Sequence, residues 1–120
     1  MKYDSLLILN SDKSLIRGVT VALIDYFSEV RATTNPKEAM LFLKNKNFTT
    51  IITGTDFLTD DGLEIIRELR KNNPFAKLLV VTSPLDEGVR KKIAMMNIQK
   101  IYEKPIDLQE IISDIKTMIT

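Results

Sequence analysis

The chain has 120 residues, is 44% hydrophobic and 28% charged, and carries a formal net charge of +1; that suits one domain with a filled core, expected to span residues 1–120, and with no like-charge run longer than Arg90-Lys91-Lys92 it argues against a dedicated nucleic-acid surface. Cysteine and histidine are both absent, which excludes disulfides, thiolate metal sites, thiol catalysis, the commonest general base and a histidine phosphorelay carrier within the chain. The stretch from Met1 to Asn10 is too short and polar for a signal peptide, and no apolar run approaches ~20 residues, so a cytoplasmic protein with no membrane partner is expected.

Ser5 to Leu9 is a compact apolar run ending at Asn10-Ser11-Asp12, and reads as a first strand. Ser11 or Asp12 is placed to cap the helix that follows. Leu15, Val19, Leu23 and Phe27 recur every fourth residue, with Ile16 and Tyr26 beside them, which predicts an amphipathic helix through Phe27. Glu29 to Ala32 alternates like a half-exposed edge strand. Asn35-Pro36 opens a second helix, a cap residue followed by proline at the first helical position, with Ala39, Met40 and Leu43 inward. Lys44 to Asn47 reads as a polar turn.

The stretch from Thr50 to Gly62 is the informative one. Its β-branched start fits a strand buried on both faces. It breaks at Gly54 into a loop carrying Asp56, Asp60 and Asp61. A loop leaving the carboxyl end of a central parallel strand is where open α/β folds place ligand sites. Leu63, Ile66 and Leu69 then give a third helix, ended by Asn72-Asn73-Pro74. Leu78 to Thr82 is an apolar fourth strand, broken by Ser83-Pro84. Val89, Ile93 and Met96 mark a fourth helix, and Met95-Met96 reads as core filling. Ile101-Tyr102 is a short fifth strand, broken by Lys104-Pro105. Leu108, Ile111, Ile112, Ile115 and Met118 give the last helix. Alternating strands and helices with right-handed crossovers require a parallel sheet covered on both faces.

In that sheet Asn10, Ser11, Gly54, Thr82, Ser83 and Lys104 meet at one edge. With the apolar start, Asp61-Gly62 before the third helix, the strand ending Thr82-Ser83 and the Glu103-Lys104-Pro105 end, the chain resembles the receiver domains of two-component response regulators over essentially its whole length. The resemblance implies an α/β, flavodoxin-like (βα)5 three-layer sandwich with sheet order 2-1-3-4-5. It implies two acids after strand one that hold Mg²⁺, an acceptor aspartate ending strand three, a hydroxyl ending strand four, and a lysine ending strand five. Thr82 and Lys104 match the last two. The acid pair falls on Asn10 and Ser11, and the acceptor falls on Gly54. The signalling aromatic falls on Ile101, with Tyr102 one place late and therefore on the other face of the strand.

Glycine cannot form an acyl phosphate, and asparagine with serine is a poor Mg²⁺ donor set. The expectation is a degenerate receiver: not an enzyme, with no metal or cofactor, not phosphorylated at the usual position, acting through a protein partner or an attached output domain. Asp56, Asp60 and Asp61 stay open as a relocated acceptor or cation site, against a solvated loop in which Asp61 caps the third helix. Thr82 stays open between retained function and a strand-end hydroxyl that satisfies a loop amide. Lys104 is expected to find Asp12 or Asp56, or a solution anion, unless it swings into water, and its bond to Pro105 is open to the cis form. Arg90, Lys91, Lys92, Lys100 and Glu103 around Ile101 and Tyr102 outline a face that family members use for dimers or partners; the alternative is an ordinary charged surface. A flavin-binding sheet is the remaining alternative, disfavoured because Asn10 to Lys13 lacks the glycines of a phosphate loop; Thr53-Gly54-Thr55 only imitates one, after the wrong strand.

Overall fold

A computed structural model describes residues 3–57 and 62–119. Its elements run β1 (Tyr3–Leu9), α1 (Lys13–Leu23), β2 (Phe27–Thr33), α2 (Pro36–Asn45), β3 (Thr50–Gly54), α3 (Gly62–Asn72), β4 (Lys77–Thr82), α4 (Glu87–Ala94), β5 (Lys100–Glu103) and α5 (Leu108–Ile119). The five strands form one parallel sheet in the order β2-β1-β3-β4-β5, the flavodoxin-like arrangement expected.

The pleat sorts each apolar run between two cores. Leu6, Ile8, Ile52, Leu79 and Val81 pack under α1 and α5 with Leu15, Val19, Leu23, Ile111 and Ile115. Leu7, Leu9, Ile51, Leu78 and Val80 face the other side, with Ala39, Ile65, Ile66, Leu69 and Ile93. The strands are apolar on both faces because helices cover both.

Caps fix where helices start. Asp12 accepts from the amides of Ser14 at 2.8 Å and Leu15 at 3.3 Å, and Asn35 accepts from Lys37 at 2.8 Å ahead of Pro36. Of the two residues open as the α1 cap, Asp12 takes the role.

Three readings of the pattern need correction. Phe27 is not helical: α1 ends at Leu23, a single 3-10 turn follows over Ile24–Tyr26, and Phe27 opens β2 while still entering the α1–α5 core. Strand two is accordingly longer than Glu29 to Ala32. At the end of α5, Met118 packs against the core as expected, and Ile119 beside it is buried as well. Met95 is not core: Met96 packs inward, whereas Met95 is 86% exposed at the C-cap of α4, because adjacent helical positions point to different sides.

Candidate functional site

The carboxyl ends of β1, β3, β4 and β5 meet at one edge of the sheet. Asn10, just past β1, is only 3% exposed. Its backbone N–H donates to the Thr33 carbonyl at 3.3 Å, and its Oδ1 accepts from the Asp12 amide at 2.9 Å. Ser11 is exposed. The Asp12 carboxylate is tied to the first turn of α1, so it is not what Lys104 meets.

Gly54 closes β3 and is buried. A Cβ on it would stand 2.8 Å from Asn10 Nδ2 and 3.3 Å from Asn10 Cγ. The Asn10 carboxamide therefore fills the space in which a side chain at position 54 would begin. Gly62 is constrained from the other direction: a Cβ there would lie 2.6 Å from the Thr55 carbonyl oxygen, so the start of α3 passes against the chain leaving β3.

Thr82 is buried at the end of β4, and its hydroxyl lies 2.6 Å from that of Thr55. Its carbonyl accepts from the Lys104 amide at 2.8 Å, which carries the β4–β5 pairing to the edge of the sheet. Next along the chain, the Ser83 hydroxyl donates to Asp56 Oδ2 at 2.9 Å. Lys104 Nζ donates to the same oxygen at 3.1 Å, the two side chains being 41% and 40% exposed. Of the partners open to it, Lys104 has Asp56. Partial burial pushes the Asp56 carboxyl upward, but Ser83 and Lys104 outweigh it and hold the group below the ordinary carboxylate range. The Lys104–Pro105 peptide is cis.

The side chains of Asn10, Asp12, Thr55, Asp56, Thr82, Ser83 and Lys104 thus each have a partner inside the chain. Asn10, Ser11 and Gly54 offer amide, hydroxyl and carbonyl oxygens, and among the described residues no group of three or more acidic side chains gathers to hold a metal. Asp60 and Asp61, including the capping role expected of Asp61, lie outside the described residues. Thr55, which locks onto Thr82, was not singled out in the sequence; its position directly after Gly54 was the available signal.

The face made by α4, β5 and α5 is held by ion pairs. Arg90 clamps Glu103 through Nε at 2.8 Å and Nη2 at 2.5 Å, and reaches Glu87 at 3.1 Å. Lys100 Nζ lies 2.8 Å from both Glu110 and Asp114. Tyr102 is buried in the α1–α5 core and donates to Asp114 Oδ2 at 2.6 Å. Burial, then Asp114, raises its phenol above the ordinary value, while Lys100 and then Tyr102 lower Asp114. Ile101 turns to the opposite core. The one-residue displacement of the aromatic therefore sends the two side chains to opposite faces of the sheet, and Tyr102 contributes little surface to this face.

Among the described residues no helix is long and apolar enough to cross a membrane. The model of the response regulator receiver domain matches residues 6–116. No curated protein sequence matches the chain. Solved structures do match in fold. A CheY-like response regulator receiver domain protein from Methanospirillum hungatei superposes with a TM-score of 0.85 at 17% identity, over 98% of this chain and 94% of that one. The chemotaxis response regulator CheY4 of Vibrio cholerae gives 0.80 at 17% identity, over 99% and 100%. A response regulator from Thermotoga maritima gives 0.79 at 21% identity, over 98% of each chain.

Proposed function

The chain belongs to the response regulator receiver domain family, and from that premise we propose that it is a two-component signalling domain that works through protein contacts, without an acyl phosphate at the end of β3. One observation carries this reading: at Gly54, the position the family resemblance gives to the acceptor, the buried Asn10 carboxamide lies 2.8 Å from where a Cβ would be. A carboxylate added there would have no oxygen-rich metal site beside it and would have to displace the Asn10 carboxamide. Magnesium has no place in this reading, because a neutral amide and a hydroxyl supply little of the charge a hard dication needs, and Asp12 is committed to capping α1. No catalytic residue is assigned.

The partner in this reading is a protein or an attached output domain. The face formed by Arg90, Lys91, Lys100 and Ile101, with Tyr102 and Asp114 bracing it from beneath, is one place for such a contact or for a homodimer.

A second reading has one observation in its favour. Asp56 is ionised, exposed, and touched by both Ser83 and Lys104, so it has a hydroxyl and a lysine for neighbours. Incubation with acetyl phosphate and Mg²⁺ followed by intact-mass measurement separates the two. The first reading expects no gain of a phosphoryl mass. A stable gain that Asp56→Asn abolishes would replace it with the second.

A further inference from the structure

Two of the most exposed large apolar side chains lie in loops joined by one arginine at the opposite edge of the sheet. Phe75 is 98% exposed and Met95 is 86% exposed. Phe75 lies in the loop before β4, and Met95 caps α4 before β5. Arg70, in the last turn of α3, stitches the two segments together. Its guanidinium donates to the carbonyls of Asn73 at 3.0 Å, Pro74 at 3.0 Å and Ala76 at 2.8 Å, and to those of Met96 at 3.3 Å and Asn97 at 2.6 Å. The carbonyls on both sides of Phe75 and the one beside Met95 are thus within reach of one planar group. Asn97 takes a left-handed φ of 60° to present its oxygen. The backbone beneath the two side chains is fixed, so presenting them in water is a property of the fold and not of a loose loop.

Three lysines stand close to them in the chain, with Glu68 one turn before Lys71 on α3. Lys91 and Lys92 stand four and three residues before Met95 and flank it on the helix surface. Lys71 stands four residues before Phe75. All three lysines are exposed, and none holds an ion pair among the described residues. Arg70 spends its donors on carbonyls and has no carboxylate partner either. Elsewhere on the surface Arg31, Lys46, Arg67, Arg90, Lys100 and Lys104 are paired, whereas Lys13, Arg17, Lys37 and Lys44 also hold no ion pair among the described residues.

We propose that this end of the molecule is a docking surface for an acidic polypeptide segment that carries apolar side chains. The apolar pair needs an apolar counterpart, which a nucleic acid backbone does not offer. The unpaired cations need carboxylates. A symmetric second copy is disfavoured, because an isologous contact would set the same lysines against one another. The surface lies at the other edge of the sheet from Gly54.

The test uses the full chain, isotope-labelled, titrated with a synthetic peptide alternating Asp-Glu and Leu-Phe pairs. Amide shifts are expected to cluster in residues 71–77 and 91–97, and binding is expected to weaken as salt rises. Phe75→Ser with Met95→Ser should weaken binding about tenfold or more. Because both positions are exposed, the variant should keep the parent's unfolding midpoint. Replacing Lys71, Lys91 and Lys92 by glutamine should remove most of the salt dependence. No binding, shifts centred elsewhere, or equal affinity for a peptide with Asn and Gln in place of the acids would overturn the proposal. So would concentration-dependent dimerisation of the protein alone that Phe75→Ser abolishes, since it would assign the surface to a second copy.

Discussion

The two edges of the sheet are opposites in what they leave unsatisfied. At the carboxyl edge the polar groups answer one another: Asn10 fills the space over Gly54, Thr55 meets Thr82, and Ser83 with Lys104 neutralises Asp56. At the amino edge the backbone is equally well held, by Arg70, but Lys71, Lys91 and Lys92 hold no ion pair among the described residues, and Phe75 and Met95 face water. A buried polar group with its partners in place gains little from a ligand. Cations and apolar surface left in solvent gain when something covers them. On the reading proposed above, the carboxyl edge is therefore the quieter one.

The comparison can be broken hardest at Arg70. Arg70→Ala removes the charged donor from five carbonyls, in loops with no ladder to replace it. Hydrogen bonds to charged groups are the stronger kind, so a loss of about 2–3 kcal/mol is expected in urea unfolding, with amide shifts concentrated in the loops before β4 and β5. A loss under about 0.5 kcal/mol, the usual scatter for a surface substitution, would mean the platform is held by something else.

Gly54→Asp tests the other edge. The new side chain must displace the Asn10 carboxamide, and overpacking of this kind costs about 1–3 kcal/mol. Asn10→Ala in the same molecule should return part of that loss, a coupling that a double-mutant cycle measures. Additive losses would show that the Asn10 contact does not control the pocket.

The smallest effect is expected at Asp56. The pair with Lys104 is too exposed to be worth more than about 0.5 kcal/mol, read from Asp56→Asn. Its pH sign is nonetheless defined. The folded state holds Asp56, Glu103 and Asp114 below their ordinary values, so it binds fewer protons than the unfolded chain as the solution is acidified. Their contribution is in place above the ordinary carboxylate range and is lost as pH falls through the lower folded values. Stability that rises on acidification from neutral would contradict the ion pairing.

The parallel sheet and the edge at which Asn10, Gly54, Thr82 and Lys104 gather were legible in the sequence, because apolar runs with one right-handed crossover rule admit few arrangements; the strand order came from the family resemblance. Phe27 misled because its spacing continues α1 while the 3-10 turn at Ile24–Tyr26 lets the same residue reach the same core from a strand. Met95 misled because the methionine pair straddles the last turn of α4, where one residue decides in from out. The Thr55–Thr82 contact and the Arg70 platform were not legible. Each joins residues remote in the chain through groups that carry no periodicity, a side-chain hydroxyl in one case and loop carbonyls in the other.

The central claim, that the receiver pocket has no carboxylate ready to take a phosphoryl group, is tested most directly by the amide spectrum of the unaltered chain titrated with Mg²⁺ and beryllium fluoride, a mimic of an acyl phosphate. The account predicts that the signals of Gly54, Thr82 and Lys104 stay where they are at saturating additions. A saturable shift of those three signals together would contradict it.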